Sequence, residues 1–501
     1  MMKFNSLKKV MLFILIALII ICALSFILIN QQIERAWGAS VPPVEVVPFE
    51  RPQGHYAIVN ASVLDSLGEH MLFNQTLLIN NGIIEAVGND IAIPEDAEQI
   101  DASGMFLIPG LIDAHVHLWQ SPNDLLLYLA NGVTHIRELN GSEEHLQWRQ
   151  QISQGRPGPD LFVASRRHNS TGLFEQLFHK WAAKVEPVTV ITDMKTHVGE
   201  LKAAGYDAIK VYTELSNDDF STLTNEASHQ GIPILGHIPR GLKLNELWSS
   251  NLKEIAHIEE FVKALDREFG GYTRDNTDDF IEFVCLRAPE IARNLAARDM
   301  AVVSTLALIE GIPKQKLNVQ KALDQVALEY VNRGIAESVH PSVKMMGWHS
   351  DVNIYRLPDD YPQDRVAGNQ RYWLAYAEAN RILLSEMREY QVKVLAGTDA
   401  NVPIMVPGFS INDELKALVK AGYSPAAALR SATTETAQWM GLKTGKIAPG
   451  YEADLVMLSG NPLHDISNTQ TTQGVMSNGR WYSKSSLAQM LVAVQEANGV
   501  K

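Results

Sequence analysis

Four histidines, a lysine and an aspartate stand where they could hold metal ions. His115 and His117 lie in GLIDAHVHLW, Lys210 in AIKVY, His237 in LGHIPRG, His257 in AHIEEF and Asp399 in LAGTDAN. Residues two apart on an extended strand point to the same side, so His115 and His117 present both imidazoles together. Neutral imidazoles with a carboxylate suit zinc and related divalent ions, which activate water for hydrolysis. Singly, each residue has a plainer reading. A strand histidine is usually a hydrogen-bonded core residue, Lys210 in an apolar run could pair with an acid, and Asp399 could cap the next turn. What favours the metal is that all six fall at the ends of short apolar runs.

Those runs are the elements that must position them. Between Phe106 and Ala448 the chain alternates buried runs with helical stretches, the pattern of a parallel α/β architecture. Eight strands are predicted at 106–113, 133–139, 160–166, 206–212, 232–238, 254–258, 300–306 and 393–399. Eight strands with helices between them point to a (β/α)8 (TIM) barrel, whose active-site mouth lies at the carboxyl ends of the strands. His115 and His117 end strand one, and Lys210, His237, His257 and Asp399 end strands four, five, six and eight. The stretch 307–392 interrupts the alternation and predicts added helices over the mouth, with ALDQVALEYVNRG and RYWLAYAEANRILLSEMREYQ as amphipathic candidates. Alternating runs at HYAIVNASVLD, QTLLINNGIIEAVG, ADLVMLSG and GVMSNGRWYS predict strands at both chain ends that could share one β unit.

The sequence resembles the amidohydrolase superfamily in PGLIDAHVHLW, IKVYTEL, LGHIPRG, AHIEEF, LAGTDAN and the closing SPAAALRSATTETAQWMGL…GKIAPGYEADLVMLSGNPL. The likeness covers nearly all of 55–485, and is similar above all to imidazolonepropionase-related members and to binuclear prolidase-like and dipeptidase-like members. It implies a distorted (β/α)8 barrel with a small β-sandwich made from both chain ends. It also implies two divalent ions, zinc above all: His115, His117 and Asp399 around one, His237 and His257 around the other. Lys210, occupying the position that carbon dioxide carboxylates in binuclear members, would bridge them as a carbamate. A hydroxide shared by the ions would attack the substrate carbonyl, with Asp399 as general base and acid. Imidazolonepropionase-type sites are mononuclear and do without this lysine, so Lys210 favours two ions.

The expected reaction is hydrolysis of a C–N bond in an amide, dipeptide or cyclic amide. A lactone, ester or phosphotriester would be open to the same nucleophile, and a catalytically silent scaffold at the membrane is the remaining alternative, although no ligand is missing. Tyr212 lies two residues beyond Lys210 and could donate to an oxyanion, or merely pack. His168, in the loop after strand three, is a candidate substrate ligand, and His135 reads as structural. Arg240 could bind a substrate carboxylate or form a surface salt bridge.

Val10 to Ile29 carries no charge, and about 20 helical residues cross a bilayer core. That length favours a retained anchor over a cleaved signal; cleavage near Gly38, giving a secreted protein, is the alternative. Lys3, Lys8 and Lys9 precede the span, so the positive-inside bias keeps the N-terminus cytoplasmic and exports the rest to the periplasm. The 501 residues carry 43 Lys+Arg against 57 Asp+Glu, a net −14 that disfavours nucleic acid. Cys22 and Cys285 are implausible disulfide partners; Cys22 is read as membrane-buried, and Cys285 as buried and inert. The expected order is an anchor or signal at 1–30, a Pro-rich spacer at 31–54, the first β part at 55–105 and the barrel at 106–446. The second β part at 447–485 and a tail at 486–501 complete it.

Overall fold

The computed structural model describes residues 2–172, 175–338 and 347–499. Helix α1, Met2–Ala36, contains the one described helix long and apolar enough to cross a membrane, and the apolar stretch is wholly exposed. The helix does not stop at the span. Ile33, Ala36 and Trp37 turn one face into the body of the protein, where they join a buried cluster with Trp119, Ala182, Ile335, Trp348 and Val406. The stretch 31–54, expected as a spacer, is instead pinned to the body at several points between exposed residues: Phe49 is buried, and Asn123 Oδ1 accepts from Val44 N at 2.8 Å. Its prolines break helix and strand without preventing burial of the aromatic and aliphatic residues between them.

Eight short parallel strands follow: β1 (Leu111–Val116), β2 (Val133–Glu138), β3 (Asp160–Val163), β4 (Ile209–Val211), β5 (Ile234–Gly236), β6 (Glu254–Ile255), β7 (Ala301–Val303) and β8 (Val394–Leu395). β1 pairs with β2 and β2 with β3, and β4 through β8 pair in chain order. Bridges Ala164–Ala208 and Val116–Ala400 join β3 to β4 and the residues after β8 to β1. The predicted strand 106–113 is two strands. Phe106–Pro109 leaves at Gly110 to pair with Leu455–Leu458, and Gly110 packs closely on Thr134, whose Oγ1 would lie 2.1 Å from a Cβ there.

Strands from both chain ends form one eight-stranded sheet, with His55–Leu64 central and Leu455–Leu458, Thr472–Ser477 and Arg480–Ser483 added from the far end. Among the helices, α2 (Gln176–Ala182) follows β3, α3 (Glu259–Phe269) follows β6, and α4 (Thr277–Ala297) precedes β7. The 307–392 stretch holds one long helix, α5 (Gln363–Glu389), where the second amphipathic candidate lay. The first candidate, ALDQVALEYVNRG, breaks into Val319–Leu323, the 3-10 turn Leu328–Tyr330 and Arg333–Ala336, the two α segments begun by the side chains of Asn318 and Asn332. Residues 339–346 of the stretch lie outside the described residues.

Two further expectations are corrected. The tail is helix α6, Lys484–Ala497, with Leu487, Met490 and Val494 buried at helical spacing; residues 500–501 lie outside the described part. Cys285 is exposed on α4, because the buried positions Phe280, Val284, Ala288 and Ile291 mark the opposite face.

Candidate metal centre

β1 is buried along its whole length; its His115, and His117 one residue past its end, both meet Asp399. His115 Nδ1 lies 3.1 Å from the Ala256 carbonyl, which can only accept, so Nδ1 carries the proton and Nε2 keeps its lone pair. That Nε2 is 3.4 Å from Asp399 Oδ1, and His117 Nε2 is 3.1 Å from the same oxygen. A ligand atom from each of the three residues lies within 4.8 Å of the others.

The remaining rings continue the cluster. His257 sits 4.4 Å from His115 and 4.9 Å from His237 between ring centres, and its Nδ1 is 3.2 Å from Thr305 Oγ1. His237 Nδ1 donates to Glu260 Oε1 at 3.1 Å, again leaving Nε2 free. Gly236 makes this approach feasible: its φ is +145°, and a Cβ there would fall 2.1 Å from the Val211 carbonyl oxygen.

Lys210 is 1% exposed, and its Nζ has no hydrogen-bond partner. Burial lowers its pKa to about 7, although Asp399 and Glu254 pull the other way. Burial, the Lys210 charge and neighbouring imidazoles hold His115 well below the ordinary histidine value, and His257 is also lowered, so both are neutral at pH 7. For His117 burial acts downward, but the adjacent carboxylates of Asp399 and Glu138 outweigh it and raise the pKa. Asp399 would be raised by burial, yet His257, His117 and Lys210 keep it depressed and ionised.

The donor set fits divalent metal. His115 Nε2, Asp399 Oδ1 and Lys210 Nζ are buried without hydrogen-bond partners, a costly arrangement that a cation would relieve at the two lone-pair atoms. The loops are braced for it. Asp113 accepts from Thr398 N at 3.0 Å and Thr398 Oγ1 at 2.6 Å, while Asn401 Nδ2 donates to the His117 carbonyl at 2.7 Å. Asp399 itself has φ +56°, a conformation that such bracing maintains.

Two groups that the sequence did not single out support the ligands. Glu138, at the end of β2, lies 3.6 Å from His117 Nδ1 and accepts from Leu118 N and Asn140 N. Glu260 accepts from His237, from Ile238 N at 3.1 Å and from Lys263 Nζ at 2.8 Å. Only the acid following strand six, in the AHIEEF run, had a sequence signal.

The substrate candidates separate. Tyr212 is half-buried, with its ring 4.3 Å from His237. His168 is fully buried and spent on structure: Nδ1 donates to the Lys210 carbonyl at 3.1 Å, and Nε2 accepts from His197 Nε2 at 2.9 Å. Arg240 is exposed and paired with Glu214 at 2.8 Å, the plainer of its two readings. His135 lies at the opposite ends of the strands, grouped with Glu452 and Asp454 and 3.5 Å from Asp160.

A profile of the amidohydrolase family matches residues 208–482. The imidazolonepropionase of Vibrio cholerae serotype O1 is 21% identical over 400 residues, covering 76% of this chain and 86% of its own. Among solved structures, a bottromycin amidohydrolase aligns over 94% of this chain and 97% of its own at TM-score 0.69 and 21% identity. An Xaa-Pro dipeptidase with bound methionine aligns over 86% and 100% at TM-score 0.60 and 18% identity. The chain belongs to the amidohydrolase family, hydrolases of carbon–nitrogen bonds.

Proposed function

We propose that this protein is a membrane-anchored, metal-dependent hydrolase of an amide, dipeptide or cyclic amide, built on a distorted (β/α)8 barrel. The observation that carries the reading is the convergence of His115, His117, Lys210, His237, His257 and Asp399 into one buried cluster with unpartnered ligand atoms. The parallel pairing of β1 through β8 and the two bridges support the barrel. The end sheet supports a small sandwich: Ile58, Leu77 and Ile79 from its first part share one buried cluster with Leu455, Met457 and Met476 from its last. In the proposed domain order Phe106–Pro109 joins the first β part, so the barrel runs from 111 to 446 between β parts at 55–109 and 447–485.

Two divalent ions, zinc in this reading, would supply a water acidic enough to attack at neutral pH and a Lewis acid for the carbonyl. His115, His117 and Asp399 would hold one ion, and His237 and His257 the other. Lys210, with a pKa of about 7, is half neutral at physiological pH, and only the neutral amine adds carbon dioxide to become the anionic carbamate that could bridge two cations. Asp399 takes the proton released at the nucleophile and returns it to the leaving nitrogen. Its depressed pKa suits a base that stays ionised between turnovers. Tyr212, beside His237, orients the substrate carbonyl oxygen.

The test pairs elemental analysis with the Lys210→Ala variant. The purified protein should carry close to two divalent ions, and Lys210→Ala should lose activity that small carboxylic acids do not restore. Full activity in that variant would sink the binuclear reading. A screen of dipeptide, hydantoin, lactone and paraoxon-like substrates separates C–N hydrolysis from the alternatives.

A further inference from the structure

The C-terminal end of α1 is fixed to the rim of the metal centre by contacts from several loops. Trp37 Nε1 donates to the Ala182 carbonyl at 3.0 Å, Gln120 N donates to the Trp37 carbonyl at 2.8 Å, and Lys184 Nζ donates to Glu34 at 2.9 Å. The Trp37 ring lies 4.4 Å from Trp119, whose own ring stacks 4.5 Å from His117. Trp119 follows β1, Ala182 ends α2 after β3, and Val406 of the same buried cluster follows β8. All three belong to the carboxyl-end side of the strands, where the metal ligands sit.

Helix α2 is set still nearer the apolar span. Trp181 stacks on Phe26 at 5.2 Å, and its Nε1 donates to Asn30 Oδ1 at 2.8 Å. Phe26 lies three residues inside Ile29, the end of the apolar run, about 4.5 Å of helix rise, which is the depth of a membrane boundary. Phe178, on the same short helix, is 46% exposed. Tryptophan with its N–H on a polar partner and its ring on apolar surface is the side chain favoured at that depth. Lys180 and Lys184 stand beside it and, with Trp37 and Trp119, border a cavity of about 480 Å³.

We propose that α2 is a membrane foot: Phe178 and Trp181 insert into the headgroup–acyl boundary of the leaflet from which α1 emerges, holding the rim of the metal centre against the bilayer surface. The partner is the lipid surface, chosen because α2 is continuous with the span through Phe26. The inference rests on the reading of α1 as a membrane span, and one experiment tests each part separately.

Spin labels are placed at Phe178→Cys, at Leu18→Cys in the span and at Leu286→Cys on α4, in full-length protein lacking Cys22 and Cys285. Leu18 and Leu286 are 52% and 77% exposed, so none of these substitutions removes a buried side chain, and an unchanged melting temperature verifies folding. The protein is reconstituted into phosphatidylethanolamine–phosphatidylglycerol vesicles, and collisions with oxygen, which partitions into lipid, are compared with those of a water-soluble nickel chelate. The oxygen-to-nickel ratio at 178 should exceed that at 286 several-fold and approach that at 18. A ratio at 178 equal to that at 286, with 18 still lipid-accessible, overturns the foot while leaving the anchor intact. A water-like ratio at 18 overturns the anchor and the foot with it.

Discussion

Replacing Glu260 with Gln tests whether a buried acid tunes the ligand set. Glu260 is 1% exposed and accepts three donors: His237 Nδ1 at 3.1 Å, Ile238 N at 3.1 Å and Lys263 Nζ at 2.8 Å. Glutamine keeps one accepting oxygen and turns an NH2 toward either Ile238 N–H or the Lys263 ammonium, so one donor faces another. A hydrogen bond to a charged group contributes about 1.5–3 kcal/mol, whereas the Lys263 pairing is worth less because that side chain is 38% exposed and screened by water. The expected stability loss is about 2–3 kcal/mol in metal-free urea titrations. Partners that orient a ligating histidine change metal affinity or activity about 10–100-fold, equivalent to about 1.4–2.7 kcal/mol. Chelator competition should therefore show weaker metal binding by that factor, with the loss concentrated in the ion assigned to His237 and His257. Stability that falls while metal affinity stays unchanged would refute the positioning role. The pH dependence has a fixed sign: burial alone would raise the Glu260 pKa, but Lys263 and His237 hold it well below the usual glutamate value. Its stabilisation is complete above the ordinary range near pH 4.5 and is lost as pH falls toward the depressed folded value, a window the Gln variant should lack.

Metal-stripped protein should regain zinc and activity faster with bicarbonate, with a half-maximal effect near pH 7 as the Lys210 amine loses its proton on going upward; a bicarbonate effect retained in Lys210→Ala would contradict this. Gly236→Ala forces a side chain into the Val211 backbone at φ +145°, and should cost about 3 kcal/mol or more of stability together with the His237 contribution to metal binding, read by denaturation and metal titration. Trp37→Ala removes a 2%-exposed indole and should destabilise by about 3–5 kcal/mol in thermal unfolding; removal of residues 1–38 should be at least as harmful, and a fully stable truncated protein would show that the α1 end is dispensable.

The six ligand-type residues were legible because strand alternation and strand-end position are periodic properties, readable without knowing what packs beside them. Glu138 and Glu260 were not, because a buried glutamate differs from a solvated one only in its neighbours, which come from other parts of the chain. His168 misled for the same reason: its loop position suggested a free imidazole, but Lys210 and His197 consume both nitrogens. One break inside 322–334 coincides with a local cap: Asn332 accepts from Gly334 N and starts a new helix there, against the amphipathic pattern. The packing of residues 31–54 was hidden because prolines signal a break in regular structure and say nothing about whether the irregular chain is buried. Cys285 was misplaced by about one helical face, an error that a hydrophobic pattern with many partly buried positions invites.

The pairing of Phe106–Pro109 with Leu455–Leu458 also has a consequence for biosynthesis. Closing a loop of roughly 350 residues costs about 5 kcal/mol in chain entropy before any contact forms. At about 5–20 residues per second, synthesis separates the two strands by roughly 20–70 s. During that interval the leading edge of the sheet has no partner, while α1 has already emerged and can be captured by the membrane. If α1 is the proposed anchor, early tethering would hold the unfinished chain at the membrane and limit meetings between exposed strand edges of neighbouring copies. The last 50 residues then act as a completion signal: a nascent chain stalled before Leu455 should stay protease-sensitive throughout, and one stalled after Ser483 has emerged should become resistant.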